Sequence, residues 1–223
     1  MEKSRPYVIL SAAISIDGKI ATHTGRSNLS SRKDLMRVHN LRKSVDAVLV
    51  GKNTVNIDDP LLTVRYVKGK NPIRIILDPA GSLSIKSNVI KTAQKTSTML
   101  IVSENVSKDV IEKFTSKGVQ VIKCGKKKIN IRKLLKILWK KGIKKIIVEG
   151  GGTTNWYFFK EKLVDEIIVA VTPYVLGGNT AISLVEGVGF EKISNSFKLK
   201  KIEKIQNEVV LHYVSQCLRS SRN

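Results

Sequence analysis

Acids, hydroxyls and glycines in this chain gather where apolar runs stop. The stretch DAVLVGKNTVNIDDPLLTVR, Asp46 to Arg65, begins as a strand and breaks at Gly51. It then carries Thr54, Asp58, Asp59 and Pro60, and ends in Leu61-Leu62-Thr63-Val64-Arg65. A second apolar run, Lys144 to Val148, leads straight into Glu149-Gly150-Gly151-Gly152-Thr153-Thr154 and a helical pattern to about Lys160. Glycines there let the backbone approach an anion, and a helix that starts beside them aims free N–H groups at it. Thr153 and Thr154 add hydroxyl donors, so the chemistry suits a diphosphate. A structural strand-to-helix turn is the plain alternative. The run is not G-x-x-x-x-G-K-[ST], which excludes an ATP P-loop, and it is not G-x-G-x-x-G after a first strand. Glu149 reads as either a solvated strand end or a ligand-facing carboxylate. Asp58-Asp59-Pro60 reads as a turn, a cap or a pair of site carboxylates. Arg65 is a candidate phosphate clamp, because a guanidinium matches phosphate oxygens bidentately; a surface arginine is the alternative.

These groups need a scaffold. Tyr7 to Ile14 is a near-continuous apolar strand that closes at Asp17-Gly18, a turn signal. Thr22 to Asn28 is polar loop. Ser30 or Ser31 caps a helix from about Arg32 to Lys43, with Asp34 in its first turn and Leu35, Val38 and Leu41 on one apolar face. Strands follow at Val45–Val50, Ile73–Leu77, Thr98–Val102, Val119–Lys123, Lys144–Val148 and Asp165–Val171. The strand at Ile73–Leu77 ends in Asp78-Pro79-Ala80-Gly81-Ser82. Helices are predicted from Ser107 to about Lys117 and from Ile129 to Lys141, and Phe197 to Val214 reads as a closing strand pair. Strands alternating with helices give an α/β fold with a mostly parallel central sheet, flanking helices and an antiparallel C-terminal edge. In such a sheet ligands bind beyond the carboxyl ends of the strands. Four polar, glycine-bearing strand ends then share one edge, which suits a large, extended ligand.

The totals narrow the classes. The chain has 223 residues, 42% hydrophobic and 26% charged, enough for a real core. It shows neither a membrane-length apolar run nor a signal peptide, so a cytoplasmic protein is expected. Cys124 and Cys217 have no metal or disulfide spacing, and His23, His39 and His212 form no ligand pattern, so no metal is expected. The net charge of +22, from 30 Lys and 10 Arg, would attract polyanions, nucleic acid included. The lysine excess and an aromatic content of only 5% speak against a nucleic-acid site. The densest basic run, from Lys126-Lys127-Lys128 to Lys145, reads mostly as a solvated helix face. Residues 1–214 form a single expected domain. Residues 215–223 read as a disordered tail or expression remnant.

Taken in order, several segments resemble the reductase domain of riboflavin biosynthesis: Ser15-Ile16-Asp17-Gly18-Lys19-Ile20-Ala21, Leu41-Arg42, Asp46-Ala47-Val48-Leu49-Val50-Gly51 through Thr54, and Asp58-Asp59-Pro60-x-Leu62-Thr63-Val64-Arg65. The match continues through Pro72-x-Arg74 with Asp78, Val148-Glu149-Gly150-Gly151, Leu163-Val164-Asp165-Glu166, and Pro173 with Leu176-Gly177-Gly178. The resemblance implies a dihydrofolate-reductase-like fold, NADPH as cofactor and a homodimer. It places Thr54, Asp58, Pro79, Ala80, Gly81, Ser82, Gly150, Gly151, Gly152, Thr153 and Thr154 on the cofactor. It places Ser27, Arg42, Leu62, Arg65 and Glu149 around the substrate's ribose phosphate. Two departures stand out. Leu29 occupies a position where many bacterial members carry Trp, and no zinc deaminase motif is present. The chain therefore resembles the stand-alone reductases of archaeal and fungal pathways, whose substrate is 2,5-diamino-6-ribosylamino-4(3H)-pyrimidinone 5′-phosphate. Hydride delivery to C1′ needs no protein nucleophile, and none stands out. It does call for a proton donor, for which Asp58 is the first candidate carboxyl and Glu149 the second. The competing readings are a dihydrofolate or other pterin-type reductase and, from another class, a basic nucleic-acid-binding protein. Exposed apolar surface near Val169 to Leu176 is the expected subunit contact.

Overall fold

Short apolar runs stopped by Gly, Asp or Pro assemble into one sheet with helices on both faces. The computed structural model describes residues 4–193 and 196–216. In chain order the elements are β1 (Tyr7–Ile14), β2 (Lys19–Ala21), α1 (Arg32–Lys43), β3 (Ala47–Gly51), α2 (Lys52–Asp58), β4 (Ile73–Leu77), α3 (Asn88–Lys91) and β5 (Thr98–Val102). They continue with α4 (Lys108–Thr115), β6 (Gln120–Lys123), α5 (Ile131–Lys140), β7 (Lys145–Val148), α6 (Gly152–Lys160), β8 (Glu166–Val171), β9 (Ile182–Ser183), β10 (Phe197–Ile205) and β11 (Glu208–Ser215).

The main sheet has nine strands in the order β10-β11-β8-β1-β7-β3-β4-β5-β6. From β8 to β6 every neighbouring pair is parallel. Strand β11 joins β8 antiparallel, and β10 pairs antiparallel with β11. The parallel stretch puts the carboxyl ends of seven strands on one edge. Strands β2 and β9 form a separate small ribbon, too short to leave a pattern in the sequence.

Alternation along each buried strand divides the core in two. Val8, Leu10, Ala47, Leu49 and Ile75 face α5 and α6, where Leu134, Leu135, Leu138 and Phe158 are fully buried. Ile9, Val48, Val50, Ile76 and Leu100 face the other way, against Val55, Val89, Ile90 and Phe114. Each large side chain so buried is worth about 2–3 kcal/mol. Arg74 is fully buried on β4 with no carboxylate partner among the described residues. Its guanidinium donates to the carbonyls of Leu61, Val89 and Thr96 and to the hydroxyls of Thr92 and Thr98. That fan of donors pins the Leu61 loop against β4. Burial pulls its pKa down to about 10.

Four local expectations change. The segment after Gly51, where no helix was expected, is the seven-residue α2, which buries only Val55 and stops at Asp59 in the left-handed region (φ 39°). The fully buried residues of α1 are Asp34 and His39; of its apolar residues Leu41 packs against the core, while Leu35 and Val38 do not. Ser31 is its cap, accepting from Asp34 N at 3.2 Å, and Glu208 of β11 takes both the backbone N–H and the hydroxyl of Ser31. Lys126 to Lys128 precede α5 and lie in a loop, whereas Lys133, Lys136 and Lys140 do occupy its exposed face. Near Val169 to Leu176, β8 is covered between β1 and β11, so the exposed apolar residues are Tyr174 and Val175 after Pro173. Ser215 closes β11, and Gln216 N donates to Ser196 O (3.3 Å). Cys217 and the rest of the expected tail lie outside the described residues.

Candidate active site

A cavity of about 550 Å³ opens along the carboxyl edge of the sheet. Its wall takes Ala12 and Ala13 from β1, Ser27 and Ser30 from the following loop, and Leu35 and Val38 from α1. The middle is Lys52 to Thr54 with Asp58 on α2, and Glu149 to Asn155 at the β7–α6 junction. Leu77, Pro79, Lys128 and Ile129 also line it, and Ile182 and Glu186 come from β9 and the loop beyond. Leu35 and Val38 of α1 therefore face the cavity, while Leu41 of the same stripe packs against the core. Helical periodicity reads the same in either case.

The β7–α6 turn is built for close approach. Gly150 and Gly151 both have positive φ, 100° and 45°, which favours glycine. Gly151 caps α6, whose first internal bond runs from Asn155 N to Gly151 O (3.0 Å). The N–H groups of the first turn therefore have no partner within the helix and sit at the cavity. A Cβ on Gly151 would lie 3.2 Å from Thr54 Oγ1, and one on Gly51 would collide with Thr154 Oγ1. Bare backbone from β3 and α6 thus meets across a narrow cradle. Beside it, Asn155 is almost fully buried. Its Nδ2 donates to Leu184 O at 2.8 Å, while Oδ1 has no hydrogen-bond partner among the described residues. A buried acceptor without a partner in a cavity wall fits a ligand that brings a donor.

Two carboxylates differ sharply in setting. Glu149 is held by Arg42 of α1, which donates from Nε to Oε1 (2.8 Å) and from Nη2 to Oε2 (2.7 Å). Both side chains are nearly buried, at 11% and 12% exposure. Burial works against the Arg42 charge, but the Coulombic pull and hydrogen bonds of Glu149 outweigh it and raise the guanidinium pKa. Asp58, at the end of α2, accepts from Ser27 Oγ (3.0 Å) and has no cation partner among the described residues. Desolvation by the cavity wall raises its pKa above the ordinary carboxylate range, and the Ser27 bond offsets part of that. The residue as a whole is exposed and lines the cavity.

A family model described as the RibD C-terminal domain matches residues 6–211. The chain belongs to this RibD C-terminal domain family. It is 38% identical over 201 residues to a protein from Aquifex aeolicus named 2,5-diamino-6-ribosylamino-4(3H)-pyrimidinone 5′-phosphate reductase, covering 88% of this chain and 89% of that one. It is 36% identical to the protein of the same name from Methanothermobacter thermautotrophicus, covering 94% and 98%. Among solved structures, RibD from Acinetobacter baumannii superposes with a TM-score of 0.83 at 26% identity, covering 97% of this chain and 59% of that one. A dihydrofolate reductase from Enterococcus faecalis superposes at 0.53 with 11% identity, which shows the likeness of fold alone.

In this RibD-type chain, ten residues singled out from the sequence line the cavity: Ser27, Thr54, Asp58, Pro79, Glu149, Gly150, Gly151, Gly152, Thr153 and Thr154. Six do not. Leu62 is core, with φ 52° and 2% exposure. Arg42 reaches the site only through Glu149, and its Nη1 donates to Thr63 O. Arg65 is exposed, donates to Thr63 Oγ1, and receives its fixed backbone position from His39. Gly81 packs beneath Val110, Ala80 is exposed, and Ser82 turns to accept from Lys52 Nζ (3.0 Å).

Sequence reasoning missed Leu35, Val38, Lys128, Asn155 and Glu186 as cavity residues. It also missed His39, which is 2% exposed and whose Nδ1 accepts from Arg65 N (2.7 Å) and Tyr66 N (3.3 Å). An imidazole whose Nδ1 accepts must be neutral with its proton on Nε2. Desolvation, then the charges of Arg42 and Arg65, lower its pKa to about 4.

Proposed function

We propose that this chain is, as one domain, the NADPH-dependent reductase of 2,5-diamino-6-ribosylamino-4(3H)-pyrimidinone 5′-phosphate in riboflavin biosynthesis, forming the ribitylamino product. The observation that carries the reading is the continuity of the cavity. One space joins the glycine cradle to both the Arg42–Glu149 pair and the Ser27–Asp58 pair. Relatives covered over most of their length bear that reductase name, which is consistent with a nicotinamide cofactor.

The residues present fit such a cofactor. The α6 N-terminus with Gly150 and Gly151 offers N–H groups to a diphosphate, and Thr54, Thr153 and Thr154 add hydroxyls. Asn155 Oδ1 awaits a donor. When bound, the cofactor supplies hydride, which the substrate receives at C1′ as the C1′–O4′ bond opens. The open chain also needs one proton, on O4′. Asp58 is the carboxyl we assign to that proton, because its raised pKa keeps more of the acid form near neutrality than an ordinary carboxyl would. Glu149, fixed by two hydrogen bonds and charge-paired, suits orientation of substrate hydroxyl or amino donors. We assign Ser27 and Leu62 to the substrate side, Leu62 as packing behind it. Arg65 is the cation for its phosphate, on a segment held by Arg42 and His39.

Tyr174 and Val175 are exposed apolar residues, and Tyr174 O accepts from the N–H of exposed Ile16. We assign this patch to a homodimer contact; a monomer mass by light scattering would refute it. We place the enzyme in the cytoplasm, consistent with Cys124 being a free thiol. Among the described residues no helix is long and apolar enough to cross a membrane.

The deciding experiment follows NADPH oxidation with three substrates: the diaminopyrimidine ribosyl phosphate, its deaminated counterpart and dihydrofolate. Turnover of the first is expected. Turnover of dihydrofolate alone would favour a pterin reductase and sink the reading.

A further inference from the structure

The acids lining the cavity are Asp58, Glu149 and Glu186; the lining bases, among the described residues, are Lys52 and Lys128. Lys128 comes from the turn after β6, the outermost parallel strand. From sequence it belonged to a run that looked like solvated charge.

The placement of Lys128 is built. The turns after β4, β5 and β6 are laced by backbone bonds, Ser103 N to Pro79 O (3.0 Å) and Glu104 N to Gly125 O (2.8 Å). Gly125 has φ 87°, and a Cβ there would run into the Lys128 carbonyl and lie 2.8 Å from Asn130 N. The turn therefore folds tightly on itself and carries Lys128 back toward the cavity. Lys52, at the start of α2 and in the same cavity wall, donates from Nζ to Ser82 Oγ in the turn after β4 (3.0 Å). A ligand with its diphosphate on the cradle would extend one end from β3 toward β6. That end meets two ammonium groups and the apolar surface of Leu77, Pro79 and Ile129. Apolar walls with two cations suit a purine nucleoside carrying an extra phosphate of charge near −2.

We infer that Lys128, presented to the cavity by the Gly125–Asn130 turn in the same wall as Lys52, binds the adenosine 2′-phosphate and so makes the site select NADPH over NADH. The inference rests on the cofactor reading above and adds to it a specificity-determining residue. Loss of one charge-assisted contact of this kind costs about tenfold in affinity, or about 1.4 kcal/mol.

The test is isothermal titration of wild type, Lys128→Ala and Lys127→Ala with NADPH, NADH, 2′,5′-ADP and 5′-AMP. Lys127→Ala removes the same charge from a neighbouring exposed position outside the cavity wall, so it controls for the general pull of a +22 protein. Thermal melting confirms that each variant is folded. Lys128→Ala should weaken NADPH and 2′,5′-ADP about tenfold and leave NADH and 5′-AMP within about twofold. Lys127→Ala should change none of them by more than about twofold. Equal losses for NADPH and NADH, equal losses in the two variants, or no loss at all would overturn the inference. Wild type that binds NADH as tightly as NADPH would overturn it while leaving the reductase reading standing. Wild type that binds neither would overturn both.

Discussion

Arg42 and Glu149 lie 107 residues apart in sequence and meet as a two-bond fork, Nε on Oε1 and Nη2 on Oε2, with both side chains nearly buried. The pair joins α1 to the end of β7, so it is part of the scaffold as well as the cavity wall. Removing one member leaves the other charge buried and unpaired, which is costlier than the net value of the pair. Arg42→Ala is expected to lose about 2–3 kcal/mol of stability, after allowing for residual exposure. Arg42→Lys keeps the charge but cannot form the fork, and should recover only part of that loss. Urea titration of the two variants measures both. Equal stability of Arg42→Ala and wild type would show that the pair contributes nothing to the fold.

Asp58 should separate activity from stability. Its folded-state pKa is raised, chiefly by desolvation. A raised carboxyl binds its proton more tightly in the folded state than in the unfolded one, so its contribution is full below the unfolded pKa and is lost as pH rises through the folded value. At neutral pH the ionised carboxylate is therefore a burden on the fold. Asp58→Asn should melt no lower than wild type at pH 7, yet lose roughly 10²- to 10⁴-fold in kcat, the usual weight of a general acid. Near-normal turnover with unchanged NADPH affinity would remove Asp58 from proton transfer. In the wild type, kcat should fall as pH rises through the Asp58 pKa, and Asp58→Asn should lack that limb.

The same carboxylates show what a sequence can and cannot reveal. Strand edges were legible because buried parallel strands are continuous apolar runs with sharp stops, and β1, β4 and β5 fall where the pattern put them. Helix α2 was not, since seven residues with one buried side chain carry almost no periodicity. Glu149 looked like a strand-end acid because nothing local announces Arg42. The loop charge of Lys128 looked like every other exposed lysine until the sheet order set the β6 turn beside those of β4 and β5. Leu35 and Val38 had the right spacing for burial. Only the packing of α1 shows that they bury a ligand space instead of meeting the core.

His39 gives a pH signature. Its Nδ1 accepts two backbone N–H groups, so protonation would break the hold on Arg65 and Tyr66. Its folded pKa, about 4, lies below the ordinary value of 6.5. Between those two values the unfolded chain takes up a proton that the folded chain refuses, so stability falls as pH drops through that window. Histidine-to-glutamine exchange keeps an acceptor and removes the titration. His39→Gln should flatten the loss of stability between about pH 6.5 and 4. An unchanged pH dependence of melting would assign that acid limb to other groups. If the Arg65 segment serves the substrate phosphate, His39→Gln should also raise the substrate KM more than it lowers kcat.

Gly51 and Thr154 supply the sharpest test of the cradle. A Cβ on Gly51 collides with Thr154 Oγ1, so β3 and α6 approach as closely as they do only because position 51 has no side chain. The backbone of Gly51 is extended (φ −82°), so alanine brings no dihedral strain and the clash alone is at issue. Overpacking of this kind costs about 2 kcal/mol, a fall of about 4–8 °C in Tm for a chain of this size. The displaced α6 N-terminus would also present its N–H groups poorly, so nucleotide affinity should fall together with Tm. Thr154→Ala removes the colliding atom, and in the Gly51→Ala background it should restore most of the lost stability. Thr154→Ser retains Oγ and should restore little. The two substitutions therefore couple in a double-mutant cycle. Simple additivity of Gly51→Ala and Thr154→Ala would mean that the two elements do not meet through these atoms.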